Sequence, residues 1–202
     1  WQPHPGGDAR TRPPVGTGAG NSVDTTTLVL VSVELCYLSM STVHAIRTRI
    51  HHVLGIPAAH IMLATTHTHA GPRDRDARNW DRPLADLIAD AILAAHAAQR
   101  PARIGSGVGV CYGYSINRRW LDRPVDPGVT VLRIDDADGR VMALWCNFAC
   151  HAVVLGADNL AISGDWPGHM MAQVETAHPD AICLFTQGGA GDINPLEIGR
   201  AH

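Results

Sequence analysis

His60-Ile61-Met62-Leu63-Ala64-Thr65 is a short apolar run that opens directly into Thr66-His67-Thr68-His69-Ala70-Gly71-Pro72. The run has the length and character of a buried strand. The polar string follows without a linker and is closed by Gly71-Pro72, which turns the chain away. Along an extended segment, residues two apart point to the same side. His67 and His69 can therefore present two imidazoles to one point, and imidazole nitrogen is a donor that zinc accepts. A His-x-His pair is also at home in a plain polar loop, so the metal reading needs a further donor from elsewhere in the chain.

Upstream, Thr27 to Val33 is β-branched and apolar and reads as a buried strand. Thr42 to Val53 carries Val43, Ile46, Ile50 and Val53 at helical spacing, ended by Gly55-Ile56-Pro57. Residues 1–24, rich in Pro and Gly and without periodicity, read as a flexible lead-in. Downstream, a charged loop over Arg73 to Arg82 precedes Leu84, Leu87, Ile88, Ala91, Ile92 and Ala95, the clearest amphipathic helix in the chain. Arg103 to Val110 reads as a strand whose glycines permit close packing. Val129 to Ile134 and Val141 to Cys146 read as strands joined by the hairpin signature Asp135-Asp136-Ala137-Asp138-Gly139. Asp165-Trp166-Pro167 opens a helix, with Asp as cap and Pro in the first turn. Ile182 to Phe185 is the last strand, followed by a turn-rich loop through Asn194-Pro195.

The order β-α-β-α-β-β-β-α-β predicts an α/β fold, a mixed sheet covered by helices. Polar residues cluster after the strands at 60–65, 141–146 and 182–185, and ligand sites in open α/β sheets favour those carboxyl ends. Four further candidates follow. His151 follows the apolar strand that ends near Cys146, a place where a core histidine is also expected. Asp165 caps a helix, or orients a metal-bound imidazole from behind. Arg118, in Asn117-Arg118-Arg119, offers a forked guanidinium to a carboxylate or an oxyanion. Gly191-Asp192-Ile193-Asn194-Pro195 is glycine-rich but lacks the GK[ST] ending of a phosphate-binding loop. The other nine of the twelve histidines are assigned no chemistry.

The 202 residues suit one domain; 46% are hydrophobic and 17% charged, enough for a core. With a net charge of -3 and no basic block, nucleic-acid binding through phosphate contacts has no support. No apolar run approaches the roughly 18–20 residues of a membrane helix. The five cysteines are odd in number, form no CxxC and read as reduced thiols, mostly small buried hydrophobes. Unpaired thiols favour a reducing compartment such as the cytoplasm, and residues 1–24 hold no apolar signal-peptide core.

Taken together, Thr66-His67-Thr68-His69-Ala70-Gly71-Pro72, Asn117-Arg118, His151, Ser163-Gly164-Asp165-Trp166-Pro167-Gly168 and Gly191-Asp192-Ile193-Asn194-Pro195 resemble the amino-terminal catalytic domain of the neutral/alkaline, non-lysosomal ceramidase family. The resemblance runs in order from about residue 25 to 196. It implies mixed sheets flanked by helices and a zinc-dependent amidase acting on an N-acyl amide such as a ceramide-like lipid. By the same resemblance His67 and His151 are zinc ligands, His69 acts beside the metal, and Arg118 lies in the active site. Asn194 stands where the family carries an active-site serine; asparagine donates a hydrogen bond but lacks a hydroxyl's proton chemistry. The family completes its zinc site with a glutamate and a tyrosine farther along than His202. The expected organisation is thus a lead-in over 1–24 and a ceramidase-like metallohydrolase domain over 25–202, incomplete at its carboxy-terminal end. No motif fixes the scissile bond. A metal-dependent esterase or phosphoesterase, or a non-catalytic metal-binding domain, stays open beside the amidase.

Overall fold

A computed structural model describes residues 26–74 and 81–198. The lead-in read over residues 1–24 and part of the charged loop before residue 82 lie outside the described residues. The elements run β1 (Val29–Val33), α1 (Met40–Leu54), a single 3-10 turn (Ala58–His60), β2 (Ile61–Thr65), α2 (Leu84–Ala97), β3 (Arg103–Val110), β4 (Ser115–Asn117), β5 (Gly128–Asp135), β6 (Val141–Phe148), α3 (Asp165–Ala177), β7 (Ile182–Gln187) and β8 (Ile193–Pro195). Every strand and helix expected from the sequence is present, and the fold is α/β with mixed sheets.

β1 and β2 pair in parallel, Val29 opposite Ile61 through Val33 opposite Thr65. A four-stranded sheet has the order β3-β5-β6-β7, antiparallel except for the parallel β6–β7 pair. The Ser32 hydroxyl donates to the Phe185 carbonyl at 2.6 Å, which joins the two sheets at β1 and β7. The parallel strands β1, β2, β6 and β7 therefore release their chains toward polar loops at their carboxyl ends, as the strand-end clustering anticipates.

Two cores hold these layers. Val29, Val31 and Val33 of β1 pack with Ile46 and Ile50 of α1 and Ile88 and Ile92 of α2. Cys146 and Phe148 of β6 pack with Cys183 and Phe185 of β7 and Met171 of α3. The predicted apolar stripe of α1 is narrower than its periodicity suggests: Ile46 and Ile50 are sealed, while Val53 is 54% exposed at the helix end. All five cysteines are free thiols. No helix among the described residues is long and apolar enough to cross a membrane.

The sequence expectation fails at three places. Gly105, Gly107 and Gly109 of β3 do not serve close packing, because a Cβ on any of them would meet nothing within 4 Å and the whole strand is exposed. The stretch around Asn117 and the loop ending at Asn194-Pro195 are not free loops: β4 and β8 pair antiparallel, Ile116 opposite Asn194. Three-residue strands in turn-rich sequence carry too little periodicity to be read.

α1 starts at Ser39, whose side chain accepts from Thr42 N at 3.2 Å, and stops at Gly55, at φ 70, whose N–H donates to the His51 carbonyl. A left-handed residue just past a helix is the usual glycine stop. Ser39→Ala removes the N-terminal cap. It should lower unfolding stability by about 1 kcal/mol in urea titrations, with the helical circular dichroism of the folded state unchanged.

Candidate metal centre

The parallel pairing of β1 with β2 places their exits side by side, and backbone hydrogen bonds continue the register beyond the strands. Thr66 N donates to Val33 O at 3.0 Å, and His67 N to Leu35 O at 3.0 Å. Thr66 and Thr68 turn inward and are fully buried, so His67 and His69 share the outer side, as the two-residue period requires. The segment is not simply extended, however. His67 has φ 63, a left-handed conformation that costs a non-glycine residue about 1–2 kcal/mol. Strain of this kind persists only where surrounding bonds impose it. Here the bonds are His67 N to Leu35 O, and Thr68 Oγ1 donating to Ser163 O at 2.8 Å.

The His67 ring is fixed by Nδ1 against the Cys36 carbonyl at 2.8 Å. A carbonyl only accepts, so Nδ1 carries the proton and Nε2 keeps its lone pair. His151, just past β6, is fixed in the same way. Its Nδ1 lies 3.1 Å from the Ile193 carbonyl, which also accepts from His151 N. This is how metal-ligating histidines are usually oriented, one nitrogen on a backbone carbonyl and the other facing the ion. Ring centroids of His67 and His151 are 4.9 Å apart, those of His67 and His69 4.9 Å, and those of His69 and His151 5.8 Å. His67 Nε2 and His69 Nε2 are separated by 3.4 Å. Two nitrogens at 2.0–2.1 Å from one tetrahedral ion sit about 3.3–3.4 Å apart.

The two histidine strings are linked by backbone as well. His69 N donates to the Ala152 carbonyl at 3.1 Å, and Ser163 N to the Ala70 carbonyl at 3.0 Å. Trp166 Nε1 donates to the His151 carbonyl at 3.0 Å. Burial, reinforced by the neighbouring imidazoles and outweighing the pull of Asp165, lowers the His69 pKa below the ordinary imidazole value. Burial also lowers that of His151, joined by the Arg118 charge and opposed by its bond to Ile193. Both shifts favour the neutral ring, the form a metal requires. The donor chemistry and ring orientation fit a zinc ion.

Arg118 follows β4. Its Nε and Nη2 donate to the Gly191 carbonyl at 3.1 and 2.7 Å, and its Nη1 lies 3.5 Å from Asn194 Oδ1 on β8. Its charge acts on both His69 and His151. The β4–β8 pair thus brings Arg118 and Asn194 together beside the imidazoles. Asn117, 4% exposed, is the buried post of this corner: Nδ2 donates to Asp192 Oδ2 at 2.9 Å, and Oδ1 accepts from Arg119 N and Trp120 N.

The two aspartates of these strings are engaged elsewhere. Asp192 holds Asn117. Asp165, buried and itself at φ 55, accepts from Val154 N at 3.1 Å, Leu155 N at 3.0 Å and Trp166 N at 2.7 Å. It ties the loop after His151 to the start of α3. It neither caps the helix by the usual bond two or three residues on nor touches a histidine ring.

Two residues the sequence reading passed over stand out. Cys36 is half-buried, with Sγ 3.8 Å from His67 Nδ1; burial raises its thiol pKa against the pull of Arg73. Gln187 ends β7 beside Phe148, its side-chain nitrogen and oxygen buried without a hydrogen-bond partner among the described residues. The one signal for Gln187 is a polar residue closing the apolar strand Ile182 to Thr186 at its carboxyl end. Cys150, next to His151, is no nucleophile: burial and the Asp165 charge push its thiol up to about 12.

No protein-family model matches the chain. Neutral ceramidase B of Dictyostelium discoideum is 27% identical to it, over 70% of this chain and 24% of that protein. The neutral ceramidase of Mycobacterium tuberculosis is 29% identical, over 66% and 26%. The crystal structure of neutral ceramidase from Pseudomonas aeruginosa superposes with a TM-score of 0.74 at 25% identity, covering 83% of this chain and 31% of that one. The chain spans about a quarter of the length of these curated relatives. Over most of its length the chain is similar in sequence and in fold to proteins named neutral ceramidase.

Proposed function

We propose that this chain carries the metal centre of a zinc-dependent amidohydrolase that cleaves an N-acyl amide of the ceramide type. The observation that carries this reading is the convergence of His67, His69 and His151, with the Nδ1 atoms of His67 and His151 each held on a backbone carbonyl. Similarity to proteins named neutral ceramidase supplies the substrate class. His67 and His151 would hold the ion. Zinc in such a site lowers the pKa of a water and polarises a carbonyl.

The remaining roles belong to the chain's own side chains. His69 is exposed, its pKa is lowered, and its Nε2 lies 3.4 Å from that of His67. It is placed to take a proton from the attacking water and pass it to the leaving amine nitrogen. Arg118, anchored on Gly191, directs its charge at the same place and steadies the negative charge that grows on the amide oxygen. Asn194 receives Arg118 Nη1 and keeps that guanidinium in place. An amide has no transferable proton, so Asn194 acts by position alone.

The test is hydrolysis of a fluorescent N-acylsphingosine by the purified chain, alongside elemental analysis. One zinc per chain is expected, with hydrolysis abolished by a chelator and restored by zinc. A zinc-loaded chain that cleaves acyl esters or phosphate esters but no N-acyl amide would overturn the substrate class. A chain that binds no zinc would overturn the centre.

A further inference from the structure

We propose that the outer edge of β3 is the surface through which two copies of this chain join, each adding its strand to the other's sheet. The proposal stands apart from the metal-centre reading. β3 is the end strand in the order β3-β5-β6-β7, and among the described residues its other edge pairs with no strand. The whole strand is exposed, Ile104 at 57%, Val108 at 75% and Val110 at 64%. A bare strand edge is a template for pairing, and proteins usually blunt one with Lys, Pro or a bulge. Arg103-Ile104-Gly105-Ser106-Gly107-Val108-Gly109-Val110 holds no Lys or Pro. Its register against β5 runs unbroken from Arg103 opposite Asp135 to Val110 opposite Gly128.

The register decides what the free edge offers. Cys111 N donates to the Pro127 carbonyl at 2.8 Å, one step past that ladder. Hydrogen-bonded pairs alternate along an antiparallel ladder, so Gly109, Gly107, Gly105 and Arg103 spend their N–H and C=O groups on β5. Those of Ile104, Ser106, Val108 and Val110 point outward. A second β3, related by a two-fold axis beside Gly107, sets Ile104 opposite Val110 of the other copy and Ser106 opposite Val108. Every outward N–H and C=O of these residues then finds its counterpart. On one face Ile104 packs on Val110 and Ser106 on Val108, and cross-strand apolar pairs of this kind add stability. On the other face Gly105 meets Gly109, with no side chain to hold the strands apart. Arg103, the only charged residue of the strand, stands opposite Cys111, so no like charges meet. The edge is thus complementary to itself in backbone, apolar pairs and charge, as a two-fold interface requires, and this selects a second copy as its occupant.

Sedimentation equilibrium of the purified chain should give twice the mass of one chain. Ser106→Pro should raise the dissociation constant by roughly a hundredfold, because the two-fold loses the same hydrogen bond twice. Proline there deletes only an outward N–H, so the circular dichroism of the fold should not change. Two cysteine variants read the register directly. Across the axis Gly107 faces Gly107 of the other copy in a non-hydrogen-bonded pair, about 4.5 Å apart at Cα and within disulfide reach. Gly105 and its own counterpart fall roughly 13 Å out of step along the strands, beyond that reach. A Cβ at either position meets nothing within 4 Å, so both variants should fold. With oxidised glutathione as electron acceptor, Gly107→Cys should cross-link into a dimer on a non-reducing gel. Gly105→Cys and the unsubstituted chain should not. A chain that stays monomeric at every concentration overturns the proposal. So does a dimer unmoved by Ser106→Pro, or one in which Gly105→Cys cross-links as readily as Gly107→Cys.

Discussion

His67→Ala should release the bound zinc and lower N-acyl amide hydrolysis by at least about a thousandfold, equivalent to some 4 kcal/mol of transition-state stabilisation. The substitution removes the ring whose orientation is most heavily determined, with its backbone N–H on Leu35 and its Nδ1 on Cys36. It leaves alanine at φ 63, a conformation histidine tolerates somewhat better, so a small loss of stability accompanies the loss of zinc. The fold should survive, because His67 is only half-buried and belongs to neither apolar core. His69→Ala is the informative partner: it should keep its zinc and lose turnover. Elemental analysis and single-substrate kinetics on the two variants separate ligand from proton carrier. Full zinc in His67→Ala, or full activity in His69→Ala, would contradict the assigned role.

The largest effect on stability is expected at Asp165. Its carboxylate serves three backbone N–H groups from two segments, and replacing it with alanine leaves them without a partner in a buried corner. Each buried group left unsatisfied costs roughly 1–3 kcal/mol. Aspartate also tolerates the left-handed conformation at φ 55 better than alanine does. Asp165→Ala should therefore lose about 3 kcal/mol or more, read as a lower urea midpoint. Asp165→Asn keeps one accepting oxygen and the same backbone tolerance, and should fall between. Because the loop after His151 supplies the Ala152 carbonyl to His69 and Ser163 to Ala70 and Thr68, zinc affinity should fall in step with stability. An Asp165→Ala chain as stable as the parent would show that the loop is held by something else.

The layered architecture was legible because it rests on long periodic segments. The apolar run of α2 and the hairpin around Gly139 announce themselves locally, and the structure follows them. The histidine strings were legible for a related reason. A doublet such as His67-x-His69 has its geometry written into the strand period, and His151 sits where an apolar strand ends. What escaped depends on contacts between distant positions. β4 and β8 exist only because Ile116 meets Asn194 across the fold. Cys36 looked like a small hydrophobe until parallel pairing set the end of β1 beside His67. The glycines of β3 show the converse: their spacing suggested tight packing, and the sheet leaves open space there.

His67 hangs from its neighbour strand, not from its own: its backbone N–H and its ring Nδ1 both end on carbonyls just beyond β1. An ion gripped by that ring would rivet β1 to β2 as surely as it would grip a substrate. Part of the free energy of seating the cation is then the free energy of zipping the two strands together. In this corner of the molecule, assembly and capture of a cation would be one equilibrium.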